Sequence, residues 1–66
     1  MNIGANIRSI REERGLLQVE LAEKVHISQA MLCQIERGTK VPTLPLSVDI
    51  ARELGCPLDR LIQDTA

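Results

Sequence analysis

Apolar residues recur along this chain at the spacing of short helices. Ile3, Ile7 and Ile10 fall at i, i+4 and i+7, which predicts a first helix from Ile3 to Glu13 that stops at Gly15. In "QVELAEKV", Leu21, Ala22 and Val25 share one side and predict a second helix of about two turns. "HIS" is a three-residue joint, and Ser28 suits the N-cap of a third helix whose Met31, Leu32 and Ile35 turn inward. Gly38 closes that helix, and "TKVPT" is a loop held by Pro42. Thr43 can cap a fourth helix, with Pro45 in the first turn, where backbone N–H groups have no intrahelical partner. Leu46, Ile50, Ala51 and Leu54 form its buried stripe, and Gly55 ends it. After Cys56-Pro57, "LDRLI" makes a last short helix, and residues 63–66 are expected to fray. With no repeat or linker in view, the expectation is an all-α fold, five helices in one compact domain over residues 1–66.

The second and third helices are the informative pair. Two short helices joined by three residues cannot lie antiparallel; they must cross steeply. Close crossing needs a small residue, which Ala22 supplies, and apolar anchors around the corner, which Val25, Ile27, Leu32 and Ile35 supply. Residues 18–37 therefore read as a helix-turn-helix, with the outer face of its second helix free to enter a major groove. On that face stand Gln29, Ala30, Cys33, Gln34 and Arg37, uncharged until the last turn, although 26% of the chain is charged. A face kept merely soluble would carry Glu and Lys. Two glutamines alone could simply be solvated, but within a complete helix-turn-helix they read as contacts.

Composition narrows the partners. The apolar residues are all aliphatic, with no Phe, Tyr or Trp, which suits small packed helices and disfavours single-stranded nucleic acid bound by base stacking. A net charge of −1 argues against DNA in the sum, yet Arg37 and Lys40 stand just past the third helix and the acids gather elsewhere. Cys33 and Cys56 form no CxxC and, with a lone His26, no metal-ligand spacing. They read as free thiols, Cys56 packed near a helix start and Cys33 on the exposed face. No apolar run approaches the roughly 20 residues of a membrane span, and "MNIGANIRSIREERG" is no signal peptide. A cytoplasmic protein is expected, without membrane, cofactor, metal or small-molecule ligand. No nucleophile–base constellation is present, so no enzyme is expected.

"GLLQVELAEKVHISQAMLCQIERG", Gly15 to Gly38, resembles the helix-turn-helix of the Cro/C1-type, phage-repressor-like XRE family. The likeness runs from Ile3 to Ile62 and includes "IREERGL", "ERG" and "ARELGCPLDRLI". It implies the five-helix, lambda-repressor-like DNA-binding fold, sequence-specific binding to double-stranded DNA, and dimers on two-fold-symmetric operators. By resemblance Gln29 and Gln34 are the main base readers, with Ala30 and Cys33 as secondary contacts; a Gln amide can pair bidentately with adenine. Gln18, Arg37, Thr39 and Lys40 are the implied phosphate contacts. Two positions depart from the family. Leu17 stands where Ser or Thr usually caps the second helix, and His26 where the turn usually has Gly.

Arg11 and Glu36 lie on inward-turning sides of their helices, so each needs a partner and each is the other's obvious choice. The family carries such a pair, and its role is structural. One recognition helix reads only a few base pairs, so a two-fold homodimer is expected. The last third, within residues 41–62, holds more apolar residues than one small core needs: Val41, Leu44, Leu46, Val48, Leu58, Leu61 and Ile62. Leu44, Leu46, Leu58, Leu61 and Ile62 are the candidate dimer surface. The expected function is a transcriptional regulator, a repressor occupying promoter DNA. The alternative is a protein-interaction module, such as an antitoxin or accessory subunit on the same fold.

Overall fold

The computed structural model describes residues 2–64; Thr65 and Ala66, the end of the predicted tail, lie outside the described residues. Five helices follow in order: α1 (Ile3–Glu13), α2 (Gln18–Lys24), α3 (Gln29–Arg37), α4 (Leu44–Leu54) and α5 (Leu58–Ile62). Among the described residues there is no strand.

Every helix contributes to one aliphatic core. Ile7, Leu21, Leu32, Ile35, Ile50, Leu54 and Leu61 are fully enclosed, and Ile10, Ala22, Val25 and Ala51 complete the layer around them. Each such large side chain contributes roughly 1.5–3 kcal/mol on burial. α1 lies at the centre and packs against α3, α4 and α5, while α2 packs against α3 and α4. Ala22 on α2 is buried, as a tight joint requires.

The joints follow local chemistry. Ser28 and Thr43 accept hydrogen bonds from the N–H groups of Met31 and Leu46, capping α3 and α4. Gly38 and Gly55 close those helices in the left-handed region. His26, at φ 60°, is the sole non-glycine residue at positive φ among those described; an imidazole tolerates this where a β-branched side chain would not. Leu17 occupies the N-cap of α2 with no side-chain acceptor. The Glu20 carboxylate compensates in part by accepting the Leu17 N–H at 2.8 Å.

Several residues sit differently from expectation. On α4 the fully buried polar place belongs to Ser47, whose hydroxyl donates to the Thr43 carbonyl at 2.9 Å, while Leu46 is only half-buried. Leu61, expected on a dimer surface, is a core residue with 0% exposure; α5 has to bury one side chain to dock at all. The tail does not fray at its start. Asn6 on α1 donates to the carbonyls of Leu61 (2.9 Å) and Gln63 (2.7 Å), so the exit from α5 is tied down.

Gly4 marks a close approach between two helices. A Cβ there would overlap the Ile35 carbonyl and stand 3.2 Å from the Glu36 carbonyl carbon. The first turn of α1 thus rests directly on the backbone at the end of α3. Gly4→Ala should lower stability by about 2–3 kcal/mol, since backbone rather than a flexible side chain must yield. Thermal unfolding should show a fall in Tm of roughly 8–20 °C. An unchanged Tm would mean that α1 does not lie on α3 in this way.

Candidate nucleic-acid interface

The outward face of α3 is presented by a helix pinned at both ends. Ser28 caps its start. At its end the N–H and the hydroxyl of Thr39 both donate to the Gln34 carbonyl, each at 3.0 Å. Leu32 and Ile35 anchor the inner face in the core, and Met31 leans on it half-buried. Gln29, Ala30 and Gln34 are exposed on the other side, with Cys33 half-buried between them. Neither the Gln29 nor the Gln34 amide is engaged by a side-chain hydrogen bond or ion pair, so each keeps its full set of donors and acceptor. An α-helix with its side chains is about 10–12 Å across, a fit to a major groove about 12 Å wide, and nine residues give α3 a length of about 13 Å along it.

Behind this face lies a buried polar network. The Arg11 guanidinium donates from Nε to Glu36 Oε2 at 2.7 Å and from Nη2 to Glu36 Oε1 at 3.0 Å. Its Nη1 donates to the Leu16 carbonyl at 2.8 Å, at the turn between α1 and α2. Gln18 Nε2 adds a third bond to the carboxylate, at 3.0 Å to Oε1. The side chains of Arg11 and Glu36 are only 10% and 3% exposed. Donating to the Glu36 carboxylate raises the Arg11 pKa above its ordinary value, against burial, which lowers it. A raised folded-state value means that the guanidinium's contribution to stability is present at neutral pH and is lost only as pH rises above the ordinary arginine range. The expected ion pair is present, bidentate and almost dry.

The network changes the standing of one predicted phosphate contact. One N–H of the Gln18 amide is held by Glu36, leaving its second N–H and its carbonyl oxygen available. Thr39 likewise directs its hydroxyl hydrogen at Gln34. Arg37 and Lys40 are exposed, and neither pairs with a carboxylate among the described residues. Acidic residues near the α2–α4 side pair locally instead: Lys24 with Glu53 at 4.0 Å and Asp49 with Arg52 at 3.8 Å. Positive charge therefore stands free beside α3, despite the net charge of −1.

Both cysteines are free thiols, and no cluster of His, Cys, Asp and Glu among the described residues could hold a metal ion. No helix there is long and apolar enough to cross a membrane. In the last third, Val41 (82%) and Leu44 (68%) are the most exposed large apolar residues, and Ile62 is 39% exposed. Leu46 and Leu58 are half-buried against the core. The residues missed in the sequence are Gly4, Asn6 and the inward role of Gln18. Asn6 directly precedes Ile7 on a central helix, a placement that does not distinguish a solvated amide from a clasp on α5.

A family model for helix-turn-helix proteins matches residues 7–61. The chain is 39% identical to the immunity repressor protein of Bacillus phage phi105 over 62 residues, which is 94% of this chain and 43% of that protein. It therefore spans less than half the length of this relative. Among solved structures, the clp gene regulator ClgR from Corynebacterium glutamicum superposes with a TM-score of 0.90 at 31% identity, covering 92% of this chain and 65% of that one. The master regulator for biofilm formation SinR, solved in complex with DNA, matches with a TM-score of 0.85 at 29% identity, covering 92% and 98%.

Arg11→Met should destabilise the fold by about 3–5 kcal/mol in urea denaturation, because the Glu36 carboxylate is left buried without its counter-charge. Adding Glu36→Leu to that variant should recover most of the loss. A double variant as unstable as the sum of the two single ones would contradict the pairing.

Proposed function

We propose that this chain, which belongs to the helix-turn-helix family, is a DNA-binding transcriptional regulator rather than an enzyme, and that it represses transcription by occupying a two-fold-symmetric operator as a homodimer. The observation that carries this reading is the face of α3: exposed amides with unused donors and acceptors, on a helix fixed from behind. Gln29 and Gln34 read base edges, each able to pair bidentately with adenine at N6 and N7. Ala30 and Cys33 are small enough to let the helix sit deep and to meet a thymine methyl. Arg37 and Lys40 grip phosphates with free charge, and Gln18 adds its remaining N–H. Thr39 joins them only if its hydroxyl hydrogen swings away from the Gln34 carbonyl. The phage relative's description as an immunity repressor, and the solution of SinR with DNA, support this reading. On this reading the protein works in the cytoplasm, with the DNA.

Dimerisation uses Val41, Leu44 and Ile62, which remain exposed after the core is filled, flanked by the half-buried Leu46 and Leu58. Two copies set two α3 helices about one DNA turn apart. Leu44→Asp should sediment as a monomer at concentrations where the unaltered chain is a dimer. A variant that remains dimeric would put the two-fold axis elsewhere.

Base reading is tested with Gln34→Ala. The variant should lose about 1–3 kcal/mol on the preferred duplex, little on unrelated DNA, and keep its fold. Unaltered site preference would remove Gln34 from the reading face. Binding that ignores salt would instead favour a protein partner.

A further inference from the structure

A shallow hollow lies where α1, the start of α2 and α3 meet, bordered by Arg8, Arg11, Gln18, Cys33, Glu36 and Arg37. Three arginines face one carboxylate there. Both oxygens of that carboxylate are already taken, by two N–H groups of Arg11 and one of Gln18. Arg11 and Glu36 thus neutralise each other at the hollow's floor, and the charges of Arg8 and Arg37 remain at its rim. Arg37 has no acidic partner among the described residues. Among the described residues Arg8 pairs only with Glu12, one turn along the same helix at 3.6 Å, with both side chains more than half exposed. An exposed pair of this kind is weak and yields to a better-placed anion.

The hollow's position says which anion. Cys33 belongs both to its border and to the face proposed to read bases, so the hollow flanks the edge of the helix that enters the groove. The edge of a groove is a phosphate backbone. We propose that this hollow seats one backbone phosphate of bound DNA, held between the guanidinium groups of Arg8 on α1 and Arg37 on α3. The second N–H of the Gln18 amide is aimed by its bond to Glu36 and completes the seat. The inference rests on the reading of α3 as the recognition helix. It adds α1 to the DNA-contacting surface and gives Arg8 a role: affinity and register, without base preference.

The two guanidinium-bearing helices are already fixed relative to each other. Arg11 and Glu36 bridge them, and Gly4 rests on the Ile35 carbonyl. Little order remains to be imposed when the phosphate arrives, which is what makes a two-arginine seat effective.

The test compares the unaltered chain with Arg8→Gln on its preferred duplex and on an unrelated one, across a series of KCl concentrations. Arg8→Gln should weaken both duplexes by the same factor, roughly 5–10-fold near 0.1 M salt, and reduce the slope of log K against log salt by about 0.9. Arg8→Lys should keep the slope. Glu12→Gln should move affinity the other way, tightening both duplexes about 2-fold, because it releases Arg8 and removes a negative charge. A neutral methylphosphonate at the seated position should weaken the unaltered chain by a larger factor than Arg8→Gln, in which only Arg37 and Gln18 still meet that phosphate. An Arg8→Gln protein with unaltered affinity and slope, while Gln34→Ala still loses site preference, would overturn the phosphate seat and leave the base reading standing. Absence of salt-dependent binding by the unaltered chain would overturn both.

Discussion

The ion pair between Arg11 and Glu36 is the interaction on which the rest of the structure depends. A nine-residue helix such as α3 is not stable alone in water, and a helix that reads DNA must also hold its roll angle. Leu32 and Ile35 supply the burial, but apolar contacts are non-directional. The bidentate fork between Arg11 and Glu36 is directional. It links α1 to the last turn of α3, and through the Leu16 carbonyl and the Gln18 amide it reaches the turn and the start of α2. Removing water from such a pair is costly, and here the remaining lone pairs and donors are largely satisfied.

A chain of this size with no aromatic residue must reach stability through close approach rather than bulk. Gly4 against the Ile35 carbonyl is one such device, and buried Ala22 on α2 is a second small residue in the packed interior. Asn6 performs a related task with hydrogen bonds, fixing the end of α5 to α1. The result is a fixed back and an unengaged front, with the Gln29 and Gln34 amides on the side that contributes nothing to the core.

Much of this was legible in the sequence. Caps, closing glycines and i, i+4 spacing are local chemistry, so all five helices could be placed; the positive φ at His26 was hinted at only by the resemblance, whose family usually has Gly there. Arg11 and Glu36 were legible because long charged residues on inward faces demand each other. The rest depends on what meets what across the fold. Leu61 and Ile62 are both apolar on a five-residue helix, and only the docking of α5 decides which one is enclosed. Gln18 at a helix start looks like a free donor until Glu36 is found beside it. Gly4 resembles any glycine near a chain terminus until the Ile35 carbonyl is placed against it.

The most direct measurement is selection of the folded protein against a random duplex DNA library at near-physiological salt, followed by sequencing. A base-reading face on a fixed α3, present twice in a dimer, predicts recovery of a two-fold-symmetric motif with half-sites about one helical turn apart. No enrichment, from protein shown to be helical by circular dichroism, would contradict the account and turn attention to a protein partner.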